Sequence, residues 1–258
     1  LGESNTPGPH LISGFATVLN SLYASGGIKT SGSLRNIQIF RNNKLIKTID
    51  LYNYITKGSL DGDIRLMNND IIFIPIRNNS IEITGAVNKP SIFEIKENEG
   101  LLNLIDFAGG LNVNASIDNV LINRIKPFDK RTKNEIFDRY LLSIDLKELL
   151  ESKKEYNLLD GDKINIPSIL DNTLNSVSIY GNVYKPGSYP LNNYKDLKSL
   201  IIDGALGIKP RTYMEKVDII KQDLENRKFS YEVLNLDSIL NDKITYILED
   251  QDIINIYS

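Results

Sequence analysis

Apolar and polar residues alternate through Ile81-Glu82-Ile83-Thr84-Gly85-Ala86-Val87, and again through Val177-Ser178-Ile179-Tyr180-Gly181-Asn182-Val183. A period of two puts every second side chain on one face, so both stretches are predicted strands. Each runs into a proline turn, Asn88-Lys89-Pro90-Ser91 or Tyr184-Lys185-Pro186-Gly187, and the chain returns through Ile92-Phe93-Glu94-Ile95 or around Tyr189. Proline presets φ near about −65°, as such turns require, so each unit reads as a hairpin. The period then lengthens. Leu101, Leu104, Ile105 and Ala108 stand at helical spacing ahead of Gly109-Gly110, and residues 17–24 do the same ahead of Gly26-Gly27. These are predicted short amphipathic helices stopped by glycine in the left-handed conformation.

The pattern recurs three times. Gly2, Gly85 and Gly181 each lie five residues before a proline, Pro7, Pro90 and Pro186 (7 − 2, 90 − 85, 186 − 181). A further strand begins at Ile37, Val120 and Val217, which is 35, 35 and 36 residues after the glycine (37 − 2, 120 − 85, 217 − 181). A capping residue, Asp50, Asp145 or Asn235, then opens a second apolar segment. Asp70, Asp162 and Asp252 lead into a closing strand that runs to Pro75, Pro167 or Tyr257. Repeats of this size are folding units, so three modules are expected, at 1–76, 81–167 and 177–258. The first keeps only Leu1 ahead of its glycine, so its opening strand is cut short and a neighbouring segment of a longer protein is expected to complete it. The third replaces the glycine pair with Gly204-Ala205-Leu206-Gly207. From the strand start to the capping residue the gaps are 13, 25 and 18 (50 − 37, 145 − 120, 235 − 217), which places an insertion at 126–139 of the second module. The linkers, 77–80 and 168–176, are short and polar, and modules this small support one another when stacked. Rigid stacking is the expectation.

A net charge of −3 with 41% hydrophobic residues describes a soluble chain poorly suited to a phosphate backbone, which argues against a nucleic-acid partner. No apolar run approaches the roughly 20 residues that cross a bilayer, and the start, without Met, reads as a mature or excised segment. The absence of cysteine excludes disulfides and thiolate metal sites. The single histidine, His10, matches Phe93 and Tyr189 beyond the turn and reads as a hairpin residue. With no cysteine and with carboxylates mostly at repeated turn positions, no catalytic site is expected. The aspartate pairs Asp61/Asp63, Asp160/Asp162 and Asp250/Asp252 read as turn chemistry, because calcium needs about six to eight oxygen ligands and no spacing here supplies them. No cofactor or metal is expected.

Two groups are candidate contacts. Between Arg124 and Arg139 the insertion holds Arg124, Lys126, Lys130, Arg131, Lys133 and Arg139 against Asp129, Glu135 and Asp138, a local +3 (6 − 3). It reads either as a solvated loop or as a contact, through Lys130, Arg131 and Lys133, with an acidic glycan or the acidic face of a neighbour. If Val177, Ile179 and Val183 face the core, then Ser178, Tyr180, Asn182 and Tyr184 share the opposite face. Tyr180 and Tyr184 there fit a subunit or intermodule contact, packing under an adjacent loop, or a glycan contact.

The strand-Gly-x-Val-x-x-Pro-Gly hairpin, the Leu-x-x-Leu-Ile-x-x-Ala-Gly-Gly helix end and the Asp-Gly-Asp-x-Ile-x-Ile-Pro closure resemble soluble ligand-binding β-grasp (SLBB) domains. The structural markers of the repeat are Gly2, Pro7, Gly85, Pro90, Gly109, Gly110, Asp162, Pro167, Gly181, Pro186 and Asp252. The stretch from Asp50 through Gly62 to Pro75 is also similar to outer-membrane polysaccharide export proteins of capsule and exopolysaccharide systems. The resemblance implies an α+β chain of three tandem β-grasp modules, each a small mixed sheet with short helices. It further implies a periplasmic, outer-membrane-associated ring of identical subunits in a Gram-negative bacterium. The ring would enclose a conduit for polysaccharide, with an inner-membrane polysaccharide co-polymerase or transporter as partner. The alternative is a periplasmic carbohydrate-binding module that forms no conduit. An enzyme on the glycan is disfavoured by the missing acid/base pair.

Overall fold

The computed structural model describes residues 1–60, 62–133, 136–223 and 228–258. Asp61 and Glu135, read above as turn and insertion residues, lie outside them. The fold is α+β, with three sheets and short helices among the described residues. The chain divides into two compact units, Leu1–Ile169 and Leu170–Ser258.

The first unit holds two sheets. In the first module, α1 (Val18–Ala24), β1 (Ile37–Arg41), β2 (Lys44–Ile49), α2 (Tyr52–Lys57) and β3 (Ile71–Phe73) build a sheet of order β2-β1-β3. In the second module, β4 (Ser80–Gly85), β5 (Ser91–Glu94), α3 (Leu101–Phe107), β6 (Val120–Ile125), β7 (Arg139–Ile144), α4 (Leu146–Ser152) and β8 (Lys163–Ile166) build a sheet of order β5-β4-β8-β6-β7. The second unit contains β9 (Ser176–Gly181), β10 (Gly187–Pro190), α5 (Leu197–Ser199), β11 (Val217–Asp223), β12 (Lys228–Leu234), α6 (Leu236–Leu240) and β13 (Ile253–Ile256). Its order, β10-β9-β13-β11-β12, repeats that of the second module strand for strand. In both sheets the opening strand runs parallel to the closing one, Ile83 beside Ile164 and Ile179 beside Ile254, and all other pairs are antiparallel.

The period-two residues fill the cores. Ile81, Ile83, Val120, Ile122, Ile164 and Ile166 are buried against Leu101, Leu104 and Ile105 of α3. In the second unit Val177, Ile179, Val217, Ile219, Ile254 and Ile256 are buried against Leu197, Leu200 and Ile201. Each such side chain stabilises its sheet by about 1.5–3 kcal/mol. The marker glycines follow from the parallel pairing. Gly85 and Gly181 have φ of +83° and +93°, and a Cβ on either would lie 2.0 Å from the Ile166 oxygen or 1.9 Å from the Ile256 oxygen. Only glycine fits so close to a neighbouring backbone.

Four local features depart from the sequence reading or sharpen it. Each predicted third strand is the first arm of a hairpin whose second arm, β2, β7 or β12, was not expected. These arms are mostly exposed, so burial leaves little alternation in them. In the first module a lone bridge between Gly2 and Ile74 stands where β4 and β9 stand in the others. Residues 7–15 therefore have no ladder to join and form no strand. His10 is not a hairpin residue, and its Nε2 lies 2.8 Å from the Thr6 oxygen. A cleft of about 1000 Å³ opens there beside β3.

In the third copy, α5 runs on into one π-helical turn, Leu200–Gly204. The glycine that accepts the amide hydrogen bond of the opening turn is Gly27, Gly110 or Gly207, at 25, 25 and 26 residues from the marker (27 − 2, 110 − 85, 207 − 181). The π turn absorbs the extra residue, which is why β11 starts one position late. The fourth feature concerns the caps. Asp145 and Asn235 accept the amides of Glu148 and Ser238, as expected; in the first copy the cap position falls on Leu51, and Asp50, one residue earlier, accepts the Tyr52 amide at 2.9 Å while it also binds Arg35 and Lys96.

Candidate functional site

Arg35, 6% exposed, precedes β1 and points into the second module. Its Nε donates to the Asp50 carboxylate at 3.1 Å, Nη2 to Asp50 at 3.0 Å and to Glu99 Oε1 at 2.7 Å, and Nη1 to the Glu94 carbonyl at 3.1 Å and to the second Glu99 oxygen. All five guanidinium N–H groups are used, which lets the cation be buried without an unmet donor. Its Cζ lies 4.3 Å from the Tyr52 ring centre and 4.9 Å from that of Phe107. Tyr52 starts α2, yet it packs in the core of the second sheet, edge-on to Phe107 at 5.0 Å and to Phe93 at 6.4 Å. The Tyr52 hydroxyl accepts the Glu94 amide at 2.7 Å, and the Ser33 hydroxyl donates to the Glu94 carboxylate at 2.8 Å. The first two modules thus share aromatic packing and a charged clasp. Burial acts to raise the Asp50 carboxyl, but hydrogen bonds from Arg35, Lys96 and the Tyr52 amide outweigh it and hold the group below the usual carboxylate range.

A second arrangement explains the closing aspartates. Asp70 and Asp162 each receive a bidentate guanidinium, from Arg41 at 2.8 Å and from Arg124 at 2.7–3.1 Å, and each also accepts the amide three residues earlier. The strand register places Lys221 at the corresponding point of the third copy. Lys221 pairs with Glu249 at 3.2 Å instead, and Asp252 is left with the Tyr246 hydroxyl and the Glu249 amide on one oxygen and nothing on the other. Burial raises the Asp252 carboxyl, and raises the Tyr246 phenol together with their mutual hydrogen bond.

The predicted contact residues lie apart. Lys130, Arg131 and Lys133 are exposed on the β6–β7 hairpin, with Arg131 stacked 4.1 Å from the Phe128 ring centre. Tyr180 and Tyr184 are exposed in the second unit. Val177 and Ile179 face the core as the alternation requires, but β9 ends at Gly181, so a turn and not the strand carries Tyr184. Sequence reasoning missed a larger outer face of this sheet. Phe229, Tyr231 and Val233 stand exposed on β12, and the Tyr231 and Tyr257 hydroxyls converge on buried Asp218, joined by Lys216 at 3.0 Å. Burial alone would raise Asp218, but these donors keep it low. The alternation Phe229-Ser230-Tyr231-Glu232-Val233 was the available signal.

Among the described residues, no three His, Cys, Asp or Glu side chains gather in a metal-binding group, and no helix is long and apolar enough to cross a membrane. Residues 80–134, which begin with β4 and take in β5, α3 and β6, match the family model of the SLBB domain. No curated protein matches the chain.

Proposed function

With an SLBB domain in its second module as premise, we propose that this protein is a non-enzymatic periplasmic component of a polysaccharide export complex. Copies of the chain assemble through their modules into a ring that forms part of a conduit for capsular or exopolysaccharide across the outer membrane of a Gram-negative bacterium. An inner-membrane polysaccharide co-polymerase or transporter drives the polymer. The observation that carries this reading is the shared packing of Tyr52 and Arg35 with the SLBB-matching module. A wall element is served by modules that do not move against each other, and the buried clasp holds the first two together.

A carbohydrate-binding module without a conduit is the second reading, and the tyrosine-lined outer face around Asp218 favours it, since aromatic rings with polar tips suit sugar faces. Imaging the natural protein extracted from cell envelopes separates the two. Rings with a central opening support the conduit. Monomers that bind glycan in titration calorimetry, with loss on Tyr231→Ala, support the binding module.

A further inference from the structure

The insertion that sets the second module apart ends in a tip that is both apolar and cationic. Phe128, Ile136 and Phe137 are 85%, 88% and 76% exposed. Lys130, Arg131 and Lys133 are exposed among them, and Arg131 lies against the Phe128 ring. The hairpin's other cations have partners: Arg124 is clamped to Asp162, Arg139 reaches the Asn123 oxygens at 3.4 Å, and Lys126 has a partner of its own. Among the described residues, Lys130 and Lys133 make no ion pair, so their charge is available to a partner. The corresponding hairpin of the first module turns at Asn42-Asn43, directly between its two strands. Nothing in the sheet requires the longer excursion.

We infer that this tip seats on an anionic phospholipid surface, with Phe128, Ile136 and Phe137 entering the headgroup boundary and Lys130, Arg131 and Lys133 held at the phosphates. The mixture of chemistries selects this partner. An acidic glycan in water would satisfy the cations and leave three large apolar side chains wet. A standard protein contact draws on about 20–30 residues a side, so a protein partner would have to reach well beyond this tip. A bilayer interface accepts apolar side chains and cations together, from a small area. Over 126–138 Lys126, Lys130, Arg131 and Lys133 stand against Asp129, Glu135 and Asp138, a net +1 (4 − 3) in a chain of −3, so the tip is favoured over the rest of the chain at such a surface. This inference does not rest on the export reading, since a glycan-binding module could hold the same anchor.

The test is vesicle flotation of the whole chain. Binding is expected to vesicles of phosphatidylglycerol with phosphatidylcholine, and to be much weaker on phosphatidylcholine alone or in high salt. Replacing Lys130, Arg131 and Lys133 with Ser is expected to lower partitioning about a hundredfold, from about fivefold per cation. Phe128→Ser with Phe137→Ser is expected to abolish the binding that survives high salt. Both variants change only exposed side chains, so an unaltered circular dichroism spectrum and melting midpoint confirm folding. Equal binding to neutral and anionic vesicles, or indifference to both variants, would overturn the inference. So would capture of soluble alginate without capture of vesicles, or a tip-dependent self-association in sedimentation that leaves vesicles unbound.

Discussion

Arg35 Nη2 donates to Glu99 Oε1 at 2.7 Å, and this bond joins two repeats of one chain. A surface ion pair in that place would contribute little. Here the cation packs against the Tyr52 and Phe107 rings and all its donors are met, so removing it leaves Asp50 and Glu99 without their guanidinium in a partly buried seam.

Arg35→Ala should therefore cost the first unit about 3 kcal/mol. Urea unfolding of the whole chain followed by hydrogen exchange will show the loss in residues 1–169 and none in 170–258. Arg35→Lys should recover only a part, because an ammonium cannot serve Asp50, Glu99 and the Glu94 carbonyl together. A loss equal in the two units would refute the assignment of the clasp to the first.

The clasp also sets an acid limit. Asp50 titrates below its unfolded value, so the unfolded chain takes up the proton first as pH falls. Its stabilising contribution is fully present above the unfolded pKa of about 4 and is lost as pH drops through the depressed folded value. Asp50→Asn should flatten this part of the stability profile of the first unit in urea titrations run from neutral pH downward. An unchanged acid slope would mean that other carboxylates govern it.

In the third copy the closing aspartate works in the opposite sense. Asp252 is raised, so its charged form costs stability above the unfolded pKa, and that cost is relieved as the group takes up a proton. Lys221→Arg would place a guanidinium where Arg41 and Arg124 stand, beside the oxygen of Asp252 that lacks a donor. The second unit should gain about 1–2 kcal/mol, measured by the urea midpoint at neutral pH. A loss would show that the Lys221–Glu249 pair matters more than the vacant acceptor.

Leu206 holds φ at +59° in the place that Gly26 and Gly109 occupy in the other copies, and its side chain is exposed. A left-handed conformation costs a non-glycine residue roughly 1–2 kcal/mol. Leu206→Gly should raise the melting temperature of the second unit by a few degrees, the entropy of the added glycine taking back part of the gain. A lower melting temperature would mean that Leu206 contributes packing outweighing the strain.

The three opening glycines, the proline turns and the inward side chains of β4, β6, β8, β9, β11 and β13 were legible because they answer to local rules. A period of two, a turn residue and a glycine spacing are written in consecutive positions. The second arms Lys44–Ile49 and Arg139–Ile144 carry no buried face to impose a period, whereas in the third copy the alternation from Phe229 to Val233 was present and was passed over. Asp50 was read as a cap on chemistry that is correct for Asp145 and Asn235. In the first copy Asp50 still accepts the Tyr52 amide at the start of α2, but it also binds Arg35 of its own module and Lys96 of the next, and these charged donors hold its other oxygen.

By itself, then, the order of residues determined the repeat, the strand faces and the position of the insertion, all of which depend on interactions within a few residues. Tertiary structure decided what the repeats do to one another: that Tyr52 serves the next module's core, that Arg35 finds Glu99 across a span of 64 positions, and that Asp252 lacks the partner its counterparts have. Those outcomes depend on which distant groups meet out of water, where one hydrogen bond more or less changes the energy of a buried charge, and linear spacing carries no record of that meeting.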